Sequence, residues 1–242
     1  MPLRLTFAGT SDIGRQRSSN QDRWSVRDDL QLAAMADGLG GLPYGAEAAQ
    51  AAIDTLALKL RLGVPEDPDG WHELLDTIND AIVTLARQLS SESGIGTTLT
   101  IARCHHNRLQ FAHIGDSALF RLRAGKLEQL TREHTVASEI LERRARGLWQ
   151  PMPANAAHVL TSCLGLPHLG ETDIRETDLQ AGDRLLLCTD GLTKPVESQK
   201  ICDTLGVAES PASAAQALVD LANDEGGPDN ITVVVGFCEA TA

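Results

Sequence analysis

Leu32-Ala33-Ala34-Met35-Ala36-Asp37-Gly38 is a short apolar run that ends on a carboxylate, and the pattern recurs along the chain. Leu185-Leu186-Leu187-Cys188-Thr189 leads into Asp190-Gly191. Phe111-Ala112-His113-Ile114-Gly115 leads into Asp116-Ser117. Asp229-Asn230 stands directly before Ile231-Thr232-Val233-Val234-Val235. Runs of this length, bounded by Asp and Gly, read as core strands. Four of them therefore carry an aspartate at one end. Asp69-Gly70 lacks a preceding strand and reads as an ordinary turn in a polar loop, 63–70.

The remaining chain is consistent with that frame. Further strands are expected at Leu3–Gly9, Trp24–Arg27, Thr97–Cys104 and Ala118–Leu122, with turns at His106-Asn107 and Ala124-Gly125. Ala49, Ala52, Ile53, Leu56 and Leu60 share one face of a helix over about 44–62. Leu75, Ile78, Ile82, Leu85 and Leu89 do the same over about 71–91. Ser210 followed by Pro211 is a helix start, continued by Ala214, Leu218 and Leu221. Strands, two helices, several short strands, helices and a last strand do not alternate as a parallel βαβ sheet does. The expectation is α+β: two mainly antiparallel sheets packed together, with helices on the outer faces.

The 242 residues suit one domain, and the composition is that of a soluble globular protein. The net charge of −12 disfavours nucleic acid and anionic membrane as main partners. The five cysteines have no C-x-x-C spacing, which argues against a zinc site and for buried thiols in a reducing compartment. No basic-then-apolar leader and no run of ~18 apolar residues is present, so the expected location is the cytoplasm.

A carboxylate at the edge of an apolar core is costly, and several together repel one another. Divalent cations remove both problems, and oxygen-rich sites suit Mg²⁺ and Mn²⁺. The glycines after Asp37 and Asp190 are expected to let the chain turn sharply there.

The ordered segments resemble the protein phosphatase 2C-like, metal-dependent family. The opening motif is Ser11-Asp12-Ile13-Gly14-Arg15-Gln16-Arg17-Ser18-Ser19-Asn20-Gln21-Asp22, and Ala36-Asp37-Gly38-Leu39-Gly40-Gly41 follows. Gly96-Thr97-Thr98-Leu99, Ile114-Gly115-Asp116-Ser117, Leu130 to Thr135, Leu160 to Gly165, Asp183 to Gly191 and Gly227 to Thr232 complete the set. The resemblance implies a four-layer αββα sandwich with a two-metal centre at one edge, holding Mn²⁺ or Mg²⁺. By motif position Asp37 bridges the cations, with the Gly38 carbonyl on one of them. Asp190 and Asp229 hold the other, and Asp22 lies one layer behind. Asp116 matches a position that helps hold a third, weaker metal. Arg17 matches the residue that grips the substrate phosphate, a task suited to a guanidinium fork. A segment at about 146–158 corresponds to a flap over the site.

Two departures bear on mechanism. Gln21 stands where many members carry Glu, and Leu39 stands where animal members carry a His that acts as general acid. The implied reaction is hydrolysis of phosphoserine and phosphothreonine in proteins by direct attack of a metal-bound water. The implied setting is a monomer opposing a Ser/Thr kinase. The alternative is a pseudophosphatase that keeps the fold and docks a partner.

Overall fold

In the computed structural model, which describes residues 1–40, 42–91 and 94–241, the apolar runs are strands covered on both faces. β3 (Leu32–Asp37) shows why. Leu32, Ala34 and Ala36 join the layer of α1 (Gly45–Leu60) and α2 (Pro68–Gln88), whereas Ala33 and Met35 join the layer between the sheets. Side chains alternate along a strand, so two buried faces turn alternation into a continuous apolar run. β9 (Arg184–Cys188) and β10 (Ile231–Ala240) behave alike. Leu186, Val233 and Val235 pack towards α5 (Ser198–Val207) and α6 (Pro211–Asp224), while Leu185, Leu187 and Val234 pack between the sheets.

The other strands are β1 (Leu3–Asp12), β2 (Asp22–Arg27), β4 (Leu99–His105), β5 (Arg108–Ile114), β6 (Ala118–Arg123), β7 (Lys126–Gln129) and β8 (Asp173–Asp178). One sheet has the order β1-β10-β9-β6-β7 and the other β2-β3-β4-β5-β8. Every pairing among them is antiparallel. Three apolar clusters fill the three spaces between four layers. The αββα sandwich is thus the architecture, and each fully buried Leu or Ile in it contributes about 1.5–3 kcal/mol.

The expected helices are present, with the second shifted at both ends to Pro68–Gln88 from about 71–91. α2 starts at Pro68, inside the stretch read as loop, because Asp67 caps it by accepting from Gly70 N at 2.8 Å and Pro68 fits the first turn. Edge strands β7 and β8 and helix α3 (Val136–Ala145) add to the expected set. Among the described residues, no helix is long and apolar enough to cross a membrane. Gly41, the last residue of the Asp37–Gly41 motif, lies outside the described residues.

Candidate metal centre

The aspartates meet because five strand ends meet. Asp22 and Asp37 are direct register partners at the joined ends of β2 and β3. Asp116 follows β5, Asp190 follows β9 at the start of α4 (Asp190–Thr193), and Asp229 precedes β10. Carboxylate oxygens of Asp37, Asp116 and Asp190 all lie within 4.8 Å of one another. Asp229 lines the same cleft of ≈ 650 Å³, together with Arg17, Gln21, Gly38 and Leu39.

The backbone at Asp37 is clamped from both sides. Its N–H donates to Thr98 Oγ1 at 2.9 Å, and its carbonyl accepts from Thr98 N at 2.9 Å and Thr97 Oγ1 at 2.8 Å. Thr98 Oγ1 is also 3.0 Å from Ser117 Oγ, so the Gly96–Leu99 and Ile114–Ser117 motifs hold the end of β3 jointly. The glycines are needed for close approach, where a sharp turn was expected. A Cβ on Gly38 would lie 2.2 Å from the Gly45 carbonyl oxygen, and one on Gly191 would lie 1.9 Å from that of Asn230. Neither has a positive φ.

Asp22 sits deeper and ties the sheets together. Its Oδ2 accepts from Thr232 Oγ1 at 2.7 Å and Thr189 Oγ1 at 3.1 Å, both from the opposite sheet's strand ends. Its Oδ1 is buried without a partner among the described residues. Burial pushes the Asp22 carboxyl up to about 7, against the pull of those two hydroxyls. Burial, then the Asp22 and Asp190 charges, raise Asp37 well above the carboxylate range. Burial and Asp190 push Asp116 up to about 7. A group of acids held this far towards neutrality is a poor resting state for carboxylates and a good receptor for hard cations.

Arg17 arrives on the loop between β1 and β2. Asn230 fastens that loop: its side chain donates to Ile13 O and Ser19 O, each at 2.9 Å, and accepts from Gln21 N at 2.9 Å. Arg15 N donates to Gly227 O at 2.8 Å. The result places Arg17 in the cleft, its Nη2 on Asp229 Oδ2 at 2.7 Å, with 41% of the side chain exposed. Gly40 leaves room for it, since a Cβ there would be 3.0 Å from Arg17 Nη1.

His113 and His134 are structural. His113 lies between Thr100 Oγ1 at 2.8 Å and Gly115 O at 3.1 Å, and His134 Nδ1 accepts from Gly115 N at 3.1 Å. The cleft also contains two residues that the sequence reading passed over. Lys194, one helical turn beyond Asp190, forms an ion pair with Asp190 Oδ2. Burial alone would lower its pKa, but Asp190 and Asp116 more than offset that, so the ammonium is held above its ordinary value. His158, from the flap-like segment, puts Nδ1 3.1 Å from Lys194 Nζ. The Asp-x-x-x-Lys spacing was the available signal for Lys194; His158 had none. Residues 146–155 form neither helix nor strand, and a 3-10 turn follows at Ala156–His158. Arg144 holds Gln150 O at 2.7 and 2.9 Å, and Leu148 and Trp149 are exposed.

Residues 8–221 match the family described as protein phosphatase 2C. The chain is 36% identical over 244 residues to the serine/threonine protein phosphatase PstP of Mycobacterium tuberculosis, covering 96% of this chain and 45% of that protein. It therefore spans about half the length of that relative. The serine/threonine phosphatase stp of Listeria welshimeri is 31% identical over 233 residues, covering 93% of this chain and 92% of its own. The solved catalytic domain of PstP, in complex with two manganese ions, superimposes with a TM-score of 0.86 at 33% identity, covering 99% and 100% of the two chains.

Proposed function

The chain belongs to the protein phosphatase 2C family, and from that premise we propose that it removes phosphate from phosphoserine and phosphothreonine in proteins with the help of divalent cations. The observation that carries this is the convergence of Asp37, Asp116 and Asp190 oxygens within 4.8 Å, each carboxylate from a different strand end. The donor set fits Mn²⁺ or Mg²⁺: all oxygen, partly buried, and short of compensating protons or donors at Asp22 Oδ1. Asp37, Asp190, Asp229 and the Gly38 carbonyl would hold a tight pair, with Asp22 behind them and Asp116 serving a third, weaker ion. When bound, the cations supply Lewis acidity and an activated water.

The chain's own residues do the rest. Arg17 is assigned the substrate's phosphate oxygens. In the structure its guanidinium rests on Asp229, so taking phosphate means exchanging one oxyanion for another. Thr97 and Thr98 keep Asp37 fixed, and the Asn230 side chain keeps the Arg17 loop fixed. Leu39 lines the cleft where animal members place their acid, so position 39 donates no proton. No observation favours the docking-module alternative, since each core carboxylate is retained and faces one cleft.

The proposal includes a monomeric catalytic domain, 1–242, acting in the cytoplasm opposite a Ser/Thr kinase. The unpaired cysteines support a reducing compartment. Hydrolysis of p-nitrophenyl phosphate and of a phosphothreonine peptide, with Mn²⁺ and with chelator, tests the activity. Turnover that needs Mn²⁺ is the expected result. Turnover unaffected by chelation, or none with Mn²⁺, would overturn it.

A further inference from the structure

Lys194 is a charge at the centre to which neither the motifs nor the proposed reaction gives a task. Its ammonium donates to Asp190 Oδ2 and meets His158 Nδ1 at 3.1 Å. It lines the main cleft with Asp37 and Asp116, and a neighbouring cavity of ≈ 270 Å³ with Asp116, Glu133 and Asp190. The carboxylates are thus covered from two sides, by Arg17 on Asp229 and by Lys194 on Asp190. The two cations differ in kind. Arg17 presents a planar fork at the mouth, suited to a phosphate. Lys194 presents a compact point charge among carboxylates, as a metal ion does.

We propose that Lys194 is a built-in cation of the Asp116–Asp190 corner: it stands where the weak divalent ion would bind, and that ion enters only by displacing the ammonium from Asp190 and from His158. The inference rests on the reading that Asp37, Asp190 and Asp229 hold a tight pair. Asp190 Oδ2 cannot serve an ammonium and a divalent ion at once without strong repulsion between them. Two divalent ions, Arg17 and Lys194 carry six positive charges, already one more than the carboxylates of Asp22, Asp37, Asp116, Asp190 and Asp229 can offset. A third ion then adds charge the site does not need. Displacing Lys194 also releases a contact to the segment at 156–158, which links occupancy of the corner to the flap.

The test is calorimetric Mn²⁺ titration of wild type, Lys194→Met, Lys194→Arg and Lys200→Met. Lys200 pairs with Glu225 and is the control for loss of a charge outside the cleft. The weak binding event should appear or tighten roughly tenfold in Lys194→Met, with a smaller change in the tight pair, and should stay as in wild type in the other two. Amide exchange at 156–159 should be as fast in metal-free Lys194→Met as in wild type saturated with Mn²⁺. A weak event unmoved by Lys194→Met, or moved equally by Lys200→Met, overturns the proposal while the tight pair stands. A wild type that takes up no Mn²⁺ overturns the two-metal reading and this proposal together.

Discussion

β9 has an aspartate at each end, and the two are treated in opposite ways. Asp183, before the strand, is 1% exposed and receives Arg123 Nε and Nη2, both at 2.6 Å, while its Oδ2 also accepts from Gln180 N at 2.9 Å. Asp190, after the strand, is gathered with Asp37 and Asp116. One carboxylate has a guanidinium fork and a backbone donor. The other has like charges and a single lysine. A buried carboxylate with its own donors belongs to the fold, whereas buried carboxylates sharing one space need a cation from outside. Strand ends at one edge of the sandwich are therefore stabilising, and those at the other edge are kept short of partners.

Substituting each end should break the comparison most visibly. Asp183→Asn leaves Arg123 half-paired and should cost about 2–4 kcal/mol of stability, with specific activity of the folded protein kept. Asp37→Asn should abolish turnover, and its metal-free form should melt at or above metal-free wild type, because repulsion is relieved. Thermal melts with chelator, beside activity, measure both. If Asp37→Asn destabilises the metal-free protein as Asp183→Asn does, the two edges are not different in kind.

The next effect concerns the two arginines of the opening motif. Arg17 reaches the cleft, and Arg15 is held by its backbone at Gly227. Arg17→Ala should lower kcat/KM by about 10–100-fold, the loss expected for a charge-assisted pair. Arg15→Ala should cost far less. Equal, small losses in steady-state kinetics would remove Arg17 from the phosphate site.

A smaller effect should appear in the pH dependence of stability. Asp22 and Asp116, near 7, and Asp37 are raised, first by burial. Their contribution is present below the unfolded value near 4 and is lost as pH rises through 7. His113, held down to about 3 by burial, acts oppositely: its contribution is present above about 6.5 and lost as pH falls. Between pH 6.5 and 8 the carboxylates dominate, so metal-free wild type should lose a few degrees of melting temperature. Saturating Mn²⁺ should remove that loss. A metal-free melt that rises across the window would contradict the buried-acid account.

The smallest effect is expected at the flap-like segment. Trp149 is 79% exposed, and Leu148 beside it is 62% exposed. Trp149→Ala should change p-nitrophenyl phosphate turnover by no more than about twofold, while shifting the preference among phosphoprotein substrates. Backbone amides at 148–158 should exchange faster than those of β9. Exchange as slow as in β9 would end the comparison of this segment with a flap.

Much of this was legible because burial on two faces writes itself as uninterrupted apolar sequence. β3, β9 and β10 could be read with their terminal aspartates, as could α1, α2 and the Ser210 cap of α6. β8 could not: Asp173-Ile174-Arg175-Glu176-Thr177-Asp178 is a half-exposed edge strand whose only instruction is its register on β5. α3 buries only Ile140 fully, too little for a clear stripe. At the site, the carboxylates carry their own signature in sequence. The ion pair of Arg17 on Asp229 forms only when the β1–β2 loop and the start of β10 close together, whereas that of Lys194 on Asp190 is local to one helical turn and only its place beside Asp37 and Asp116 comes from the fold.

The central claim is that the carboxylate edge exists to hold divalent cations, and Mn²⁺ titration of wild type, Asp37→Asn and Asp116→Asn beside their phosphatase rates tests it most directly. Wild type should take up two ions tightly, placed about 3.5–4 Å apart as in other two-metal sites. Asp37→Asn should lose that uptake and its turnover while remaining folded. Asp116→Asn should keep the tight pair and turn over more slowly. Near-normal turnover in Asp37→Asn would contradict the two-metal account. Loss of the tight sites in Asp116→Asn would make Asp116 a principal ligand and contradict the division of roles.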